Sequence, residues 1–344
     1  MRPSGTAHLI NNVLMARRKV SQHRIFDLTA TLIVIAVIFT LRSSFFPAGD
    51  ETIPNVSTPI GHLLQTVQQR VPILSAVIWA LSIIVAGLNA GRYGVRLSLY
   101  PAYTLMGISL FGVVATGVMT SGDYLLSASA MAVMLLAVKY IERCIMRSGS
   151  FSDLSLSMLY FGLLPLIYAP AALIYVAMPL LVLVARASWR DELVTLASLL
   201  LPPAALCYWS WCAGKEFLEP AIEIYNSMFT PSEFSFFGTI NPASVLLLGV
   251  LFVMTMCAVT LVISDKYSLK VKSRVAMRFN GLLLILLVAM FFLPSVTATQ
   301  FALLAVPASM MLPLIFVRMG VGFTETLYRL LLLAAALNCV VMCL

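Results

Sequence analysis

The sequence predicts an all-α fold: a polytopic transmembrane bundle of about eleven helices with its N-terminus in the cytoplasm. Three observations carry this. Hydrophobic residues make up 61% of the 344 and charged residues only 10%, too few charges to solvate a globule of this size in water. The apolar residues fall into runs long enough to cross a bilayer, separated by short polar segments. The basic residues lie in clusters between those runs, on alternate connections. The net charge of +8 is therefore an orienting signal rather than the footprint of a nucleic-acid binder, and no nucleic acid is expected as a partner.

Residues 1–25 form a basic cytoplasmic segment with Arg2, Arg17, Arg18, Lys19 and Arg24. Leu9, Ile10, Val13 and Leu14 recur in it at helical spacing, so it reads either as an amphipathic helix on the inner leaflet or as a basic tail. Phe26–Phe46 is the first span; about 20 residues suffice to cross, and Ser43-Ser44-Phe45-Phe46-Pro47 is a poor cleavage site, so no signal peptide is expected. Further spans are predicted at Ile73–Ala90, Leu99–Met119, Tyr124–Ile141, Leu154–Ala169, Ala171–Ala185, Leu193–Ala213, Ala243–Ser264, Phe279–Leu293, Phe301–Val317 and Thr326–Cys343. The pair within 154–185 is short and broken by Pro165, Pro170 and Pro179, which reads as two tight spans or one re-entrant hairpin. Either choice returns the chain to the same side. Residues 26–344 thus make a single transmembrane domain, with outer loops at 47–72 and 214–242 that are too short to fold alone.

With the N-terminus inside, the cytoplasmic segments hold 19 of the 22 Lys and Arg residues, leaving Arg42, Arg70 and Lys215 outside. A missed or invented span would scramble that asymmetry, and Lys and Arg are what set orientation. The location that follows is the bacterial inner membrane, with membrane lipids as partners.

Chemistry is harder to read. Cys144, Cys207, Cys212, Cys257, Cys339 and Cys343 form no C-x-x-C pair, and His8, His23 and His62 are far apart; no metal and no cofactor is expected. No Asp, Glu, Lys or Arg sits near the middle of a predicted span, which argues against an ion-coupled carrier. The outer face is richer. Asp50 and Glu51 follow the first span, Asp123 stands at the outer end of the fourth, and Glu216, Glu219, Glu223 and Glu233 lie among Tyr208, Trp209, Trp211, Phe217, Tyr225 and Phe229. Pro220 suits the first turn of a helix, with acids beside it favoured by the helix dipole. One reading is a groove for a glycan, with Asp50 or Glu51 as base, Asp123, Glu219 and Glu223 as substrate contacts, and Arg70 and Lys215 clamping phosphate. The other is an interfacial aromatic belt with a solvated acidic loop and snorkelling cations. On the cytoplasmic side Arg186, Trp189 and Arg190 read as a lipid-headgroup or partner contact. Gly87-x-x-x-Gly91 is a close-packing signal.

The stretch from about Ile73 to Lys215 resembles a family of bacterial multi-pass membrane proteins typical of Bacteroidota, a domain of unknown function. The resemblance rests on Leu88-Asn89, on Leu159-Tyr160-Phe161-Gly162-Leu163-Leu164-Pro165-Leu166-Ile167-Tyr168-Ala169-Pro170, on Arg186-x-x-Trp189-Arg190-Asp191-Glu192 and on Leu201-Pro202-Pro203. Pro203 stands where an aromatic residue is expected. Membership implies an inner-membrane location and no particular activity. Asp50-Glu51 also gives an architectural similarity to multi-span glycosyltransferases and polysaccharide polymerases that use lipid-linked donors. Three functions follow as expectations: a non-catalytic component of an envelope-biogenesis or secretion assembly, with other membrane proteins as partners; an enzyme acting on a lipid-linked glycan at the outer face; and a carrier or flippase.

Overall fold

The structure, a computed structural model, describes residues 29–37 (except 31 and 35), 58–96, 106–115, 123–147, 150–186, 188–231, 241–264 and 271–343. The ordered elements among them are all helical: α1 (Pro59–Arg70), α2 (Pro72–Arg96), α3 (Met106–Ala115), α4 (Tyr124–Met146), α5 (Phe151–Ile167), a 3₁₀ turn (Ala169–Ala172), α6 (Leu173–Arg186), α7 (Trp189–Cys212), α8 (Glu219–Phe229), α9 (Pro242–Ser264), α10 (Val271–Ala289), a second 3₁₀ turn (Met290–Phe292), α11 (Thr299–Met311), α12 (Pro313–Arg318) and α13 (Val321–Cys343). In lipid every backbone N–H and C=O must be satisfied within the segment, which is why apolar runs of this length become helices.

Six helical stretches among the described residues are long and apolar enough to cross a membrane: Pro72–Tyr93, Tyr124–Met146, Trp189–Cys212, Pro242–Val262, Val271–Phe292 and Thr299–Phe316. This is the fold of an integral multi-pass membrane protein. Each other predicted span also carries helix among its described residues, including those described within 29–37 of the first. Phe151–Ile167 and Ala169–Leu183 are apolar but shorter. The N-terminal segment 1–25, and Asp50 and Glu51, lie outside the described residues.

The bundle is built around Thr299–Phe316, which is wholly buried. It packs against α2, α3, α4 and α10, so it has no lipid face and no need of one-sided periodicity. The outer helices do show two faces. On α2, Leu81, Val85 and Leu88 are exposed while Trp79, Ile83, Ala86 and Ala90 are buried. Glycines make two close crossings. A Cβ on Gly87 would stand 2.6 Å from the Ile108 Cα, and one on Gly107 would stand 2.7 Å from the Gly87 carbonyl oxygen and 2.8 Å from the Gly91 nitrogen. The Gly87-x-x-x-Gly91 pair is thus the seat of α3 on α2.

The second crossing joins α5 to α7. Pro202 and Pro203 lie inside α7 and cannot donate back to the carbonyls of Ser198 and Leu199. Gly162 brings the α5 backbone onto that freed surface: a Cβ there would lie 2.3 Å from the Leu199 oxygen. The Tyr175 hydroxyl donates to the Gly162 carbonyl at 2.9 Å, and Ser155 and Ser198 hydroxyls bond at 2.8 Å along the same seam. α5 runs unbroken through Pro165, and the chain turns at Tyr168–Ala172, where Pro170 opens the 3₁₀ turn.

Long-range polar contacts sort helix ends into two layers. In one, Thr58 Oγ1 donates to the Ile167 carbonyl (2.8 Å), the Leu125 amide to Gln68 Oε1 (2.9 Å), the Thr297 amide to Tyr168 Oη (3.1 Å), Ser295 Oγ to the Met228 carbonyl (2.8 Å) and Ser244 Oγ to Asn338 Oδ1 (2.6 Å). In the other, Tyr328 Oη donates to Thr29 Oγ1 (2.6 Å), Lys272 Nζ to the Met146 carbonyl (2.6 Å) and Asn280 Nδ2 to Glu142 Oε1 (3.1 Å). Asp153 stands 3.9 Å from Arg143 and 3.7 Å from Arg147 in this second layer. The two layers are called the Asp123 end and the Glu142 end below.

A buried polar cluster at the Asp123 end

Asp123 immediately precedes α4, the position from which an aspartate ordinarily caps a helix. Its side chain makes no capping bond. The helix amide it would serve, that of Leu125, is taken instead by Gln68 Oε1 of α1. Asp123 is 1% exposed, and neither carboxylate oxygen has a hydrogen-bond partner of standard geometry among the described residues. Burial pushes its pKa up to about 6, with the nearby Gln65 amide acting in the opposite direction. Tyr168, buried beside it, is close enough for its hydroxyl to feel the Asp123 charge.

The helix that supplies these amides is inverted. Gln65 and Gln68 of α1 are buried, while Leu63 is 65% and Val67 51% exposed. In water that arrangement would be unfavourable on both faces. Against lipid it would be the stable choice, with Leu63 and Val67 meeting acyl chains and Gln65 and Gln68 finding partners within the protein. Gln65 and Gln68 lie three residues apart and so share a face. Thr58 fixes the start of α1 to the Ile167 carbonyl, and the Trp79 and Tyr124 rings meet at 5.7 Å below it. Thr58, Gln65, Gln68, Asp123 and Tyr168 are all buried together at this end.

The other sequence-predicted residues are distributed differently. Lys215 pairs with Glu219 at 3.2 Å, both largely exposed. Glu223 and Arg70 are exposed. None of these joins Asp123. α8 packs through Pro220, Ile224 and Ser227 onto the first 3₁₀ turn and α1, with Pro220 in its first turn as the sequence indicates. Its other face, with Tyr225 and Phe229 in edge contact at 5.1 Å, continues the exposed aromatic band of Tyr208, Trp209 and Trp211. Trp189 and Arg190 are exposed at the start of α7, while Asp191 and Glu192 turn inward; of Arg186 only the helical backbone is described.

No protein family, curated protein or solved structure matches the chain. Sequence reasoning missed Gln65 and Gln68, for which the signal was a polar i, i+3 pair opposite Leu63 and Val67. It also missed Glu142, which falls one residue beyond the predicted span Tyr124–Ile141; α4 continues through Met146 and buries it. Among the described residues no group of three His, Cys, Asp or Glu side chains is placed to hold a metal ion.

Proposed function

We propose that this chain is a bacterial inner-membrane component of an envelope-biogenesis or secretion assembly. It crosses about eleven times from a cytoplasmic N-terminus, and it binds the polar headgroup of a lipid or lipid-linked glycan in the cluster around Asp123 without itself transforming it. The observation that carries the binding role is the buried Asp123 carboxylate, released from capping by Gln68 and with no hydrogen bond of standard geometry to either oxygen among the described residues beyond the nearby Gln65 amide. A carboxylate accepts hydrogen bonds only, so its complement is a donor-rich group such as sugar hydroxyls or an amine. Neutral amides and a phenol beside one acid make a recognition set.

The topology is supported by the two layers of contacts. Every contact assigned to the two layers joins ends that an eleven-span path puts on one side. Ile167 meets Thr58 at the Asp123 end while Asp153, at the start of α5, meets Arg143 and Arg147 at the other. α5 therefore runs from one layer to the other over about 26 Å, which favours two tight spans over a re-entrant hairpin. The basic clusters put the Glu142 end in the cytoplasm.

The test is a lipid inventory. Wild type and D123A are extracted in native lipid particles and their bound lipids compared by mass spectrometry. A lipid enriched with wild type and lost from equally abundant, folded D123A is expected; identical inventories would overturn the binding role. Alkaline phosphatase fused after Glu219 should be active and after Arg147 inactive, and the reverse result would invert the topology.

A second reading, an enzyme on a lipid-linked glycan with Asp50 or Glu51 as base, draws support from Thr58. That residue, soon after Glu51 in sequence, is fixed in the Asp123 layer. Unchanged surface polysaccharide in a D50A/E51A strain with normal protein level would remove it.

A further inference from the structure

The Glu142 end contains a buried acid paired with an amide, which the headgroup site does not use. Glu142 of α4 is 4% exposed, and Asn280 of α10 is fully buried. The Asn280 amide nitrogen donates to Glu142 Oε1 at 3.1 Å, while Asn280 Oδ1 is buried and has no partner among the described residues. A carboxamide facing a carboxyl makes two antiparallel hydrogen bonds only if each group brings one donor. An ionised carboxylate brings none, and it would leave the Asn280 oxygen unsatisfied beside a negative charge. A carboxylic acid brings the missing O–H.

We propose that Glu142 carries a proton in the folded protein, and that Glu142 and Asn280 together form a proton-binding site within the bundle whose loading holds α10 against α4.

The described charges on surrounding elements are engaged elsewhere, exposed, or not paired with Glu142. On α4, Arg143 and Arg147 lie against Asp153 of α5, and Lys139 and Arg143 lie over the Tyr140 ring, which stacks on Tyr160 of α5. On α10, Lys272 donates to the Met146 carbonyl, Arg278 is exposed, and Arg274 is half-buried with its Nε unpartnered among the described residues. On α2, Arg92 is exposed and Tyr93 buried. α11 carries no ionisable residue, and His62 and Arg70 of α1 belong to the opposite end. None of these cations makes an ion pair with Glu142 among the described residues. A bare carboxylate there would be a buried charge without a counterion, the costliest arrangement in a low-dielectric interior. Ionisation removes the second hydrogen bond, so the same pair that latches α4 to α10 when protonated loosens them when the proton leaves.

The experiment is infrared spectroscopy of the full-length protein in nanodiscs of phosphatidylethanolamine and phosphatidylglycerol. It is run at about pH 6, where glutamates of ordinary pKa are ionised. Wild type should show the C=O stretch of a protonated, hydrogen-bonded carboxyl, shifting when the glutamates are ¹³C-labelled. The band should persist in D123N and in E192Q, which removes the other glutamate buried among the described residues, and should vanish in E142Q. Absence of the band from wild type, or its survival in E142Q, overturns the proposal. E142Q should fold with an unchanged melting temperature, because the glutamine amide can make both bonds. Should it not fold, N280L decides instead: its band moves to the higher frequency of an unbonded carboxyl, and an unmoved band overturns the pairing.

Discussion

Replacing Gly162 by alanine is the sharpest test of how this bundle is held together, because local and tertiary effects have opposite signs. Within a helix, alanine is favoured over glycine by about 0.5–1 kcal/mol. Position 162 lies in the body of α5, so a helix packed at ordinary distance would be stabilised. Here the added Cβ would stand 2.3 Å from the Leu199 oxygen, 3.1 Å from its carbonyl carbon and 3.1 Å from the Pro202 Cδ. The first two are backbone atoms that no rotamer change can clear. Restoring ordinary contact at 3.4 Å needs a separation of about 1.1 Å between α5 and α7. A gap of that size forfeits roughly a quarter to a half of each contact's dispersion energy along the seam. It also stretches the Ser155–Ser198 bond from 2.8 Å beyond hydrogen-bonding range, a loss of about 1 kcal/mol. With overpacking at about 1–3 kcal/mol, the net is a destabilisation of about 2–3 kcal/mol after the helix gain is subtracted. The assay is thermal unfolding in mild detergent of G162A and of G249A, whose Cβ would meet nothing within 4 Å. A drop of roughly 5 °C is expected for G162A, with G249A unchanged or slightly raised. A G162A protein that melts at or above wild type would refute the close crossing.

Further outcomes follow from the polar layers. The Asp123 carboxyl binds its proton more tightly when folded, with a pKa raised from 3.8 to about 6, so between those values the native state holds more protons than the unfolded one. Stability should therefore fall by at most about 3 kcal/mol as pH rises through that window and stay level above it; D123N should lose this slope in melting curves taken across it. Q68L, which strips the cap from the Leu125 amide, should cost about 1 kcal/mol at every pH, and a pH-dependent loss would mean that Gln68 acts through Asp123 instead. S244A leaves the buried Asn338 without its 2.6 Å donor and should cost about 1 kcal/mol. The S244A/N338L double variant should recover most of it, and a double variant worse than the single would count against the pairing.

The six long apolar helices were legible because the backbone of any membrane-buried run must satisfy its own hydrogen bonds, so a long apolar segment has few alternatives to helix. The Gly87-x-x-x-Gly91 crossing was legible for a similar reason: small residues one turn apart leave a groove that a neighbour fills. Position within the bundle was not. Leu, Val, Ala and Phe serve equally well against lipid and against protein, so the wholly buried Thr299–Phe316 stretch reads the same as a peripheral span. The Pro202-Pro203 pair and Gly162 were both visible in the sequence. That they meet depends on carbonyls which proline leaves free, and residue identities alone do not point to that contact.

The misses at Gln65, Gln68 and Glu142 share one cause. Sequence reading treats polar residues beside a span as belonging to water, because in a soluble protein the apolar face points in. In a membrane protein the solvent around the outside is itself apolar, and polar side chains near a span boundary have two destinations, the aqueous loop or the protein interior. α1 takes the second. Its glutamines face inward at a desolvation cost that only partners offset, and the partner of one of them is the amide that Asp123 would otherwise have capped. The exchange frees a carboxylate where no structural need is met by it. A structural role alone would be better served by asparagine or serine capping Leu125 directly, with α1 replaced by a plain loop. The arrangement makes physical sense if something else, arriving from the membrane or from outside, brings Asp123 more hydrogen-bond donors than the one Gln65 amide beside it. For that reason D123N, nearly isosteric but unable to ionise, is expected to match or exceed wild-type stability at neutral pH while losing the bound lipid. A variant that kept the lipid and lost stability would reduce Asp123 to a piece of the scaffold.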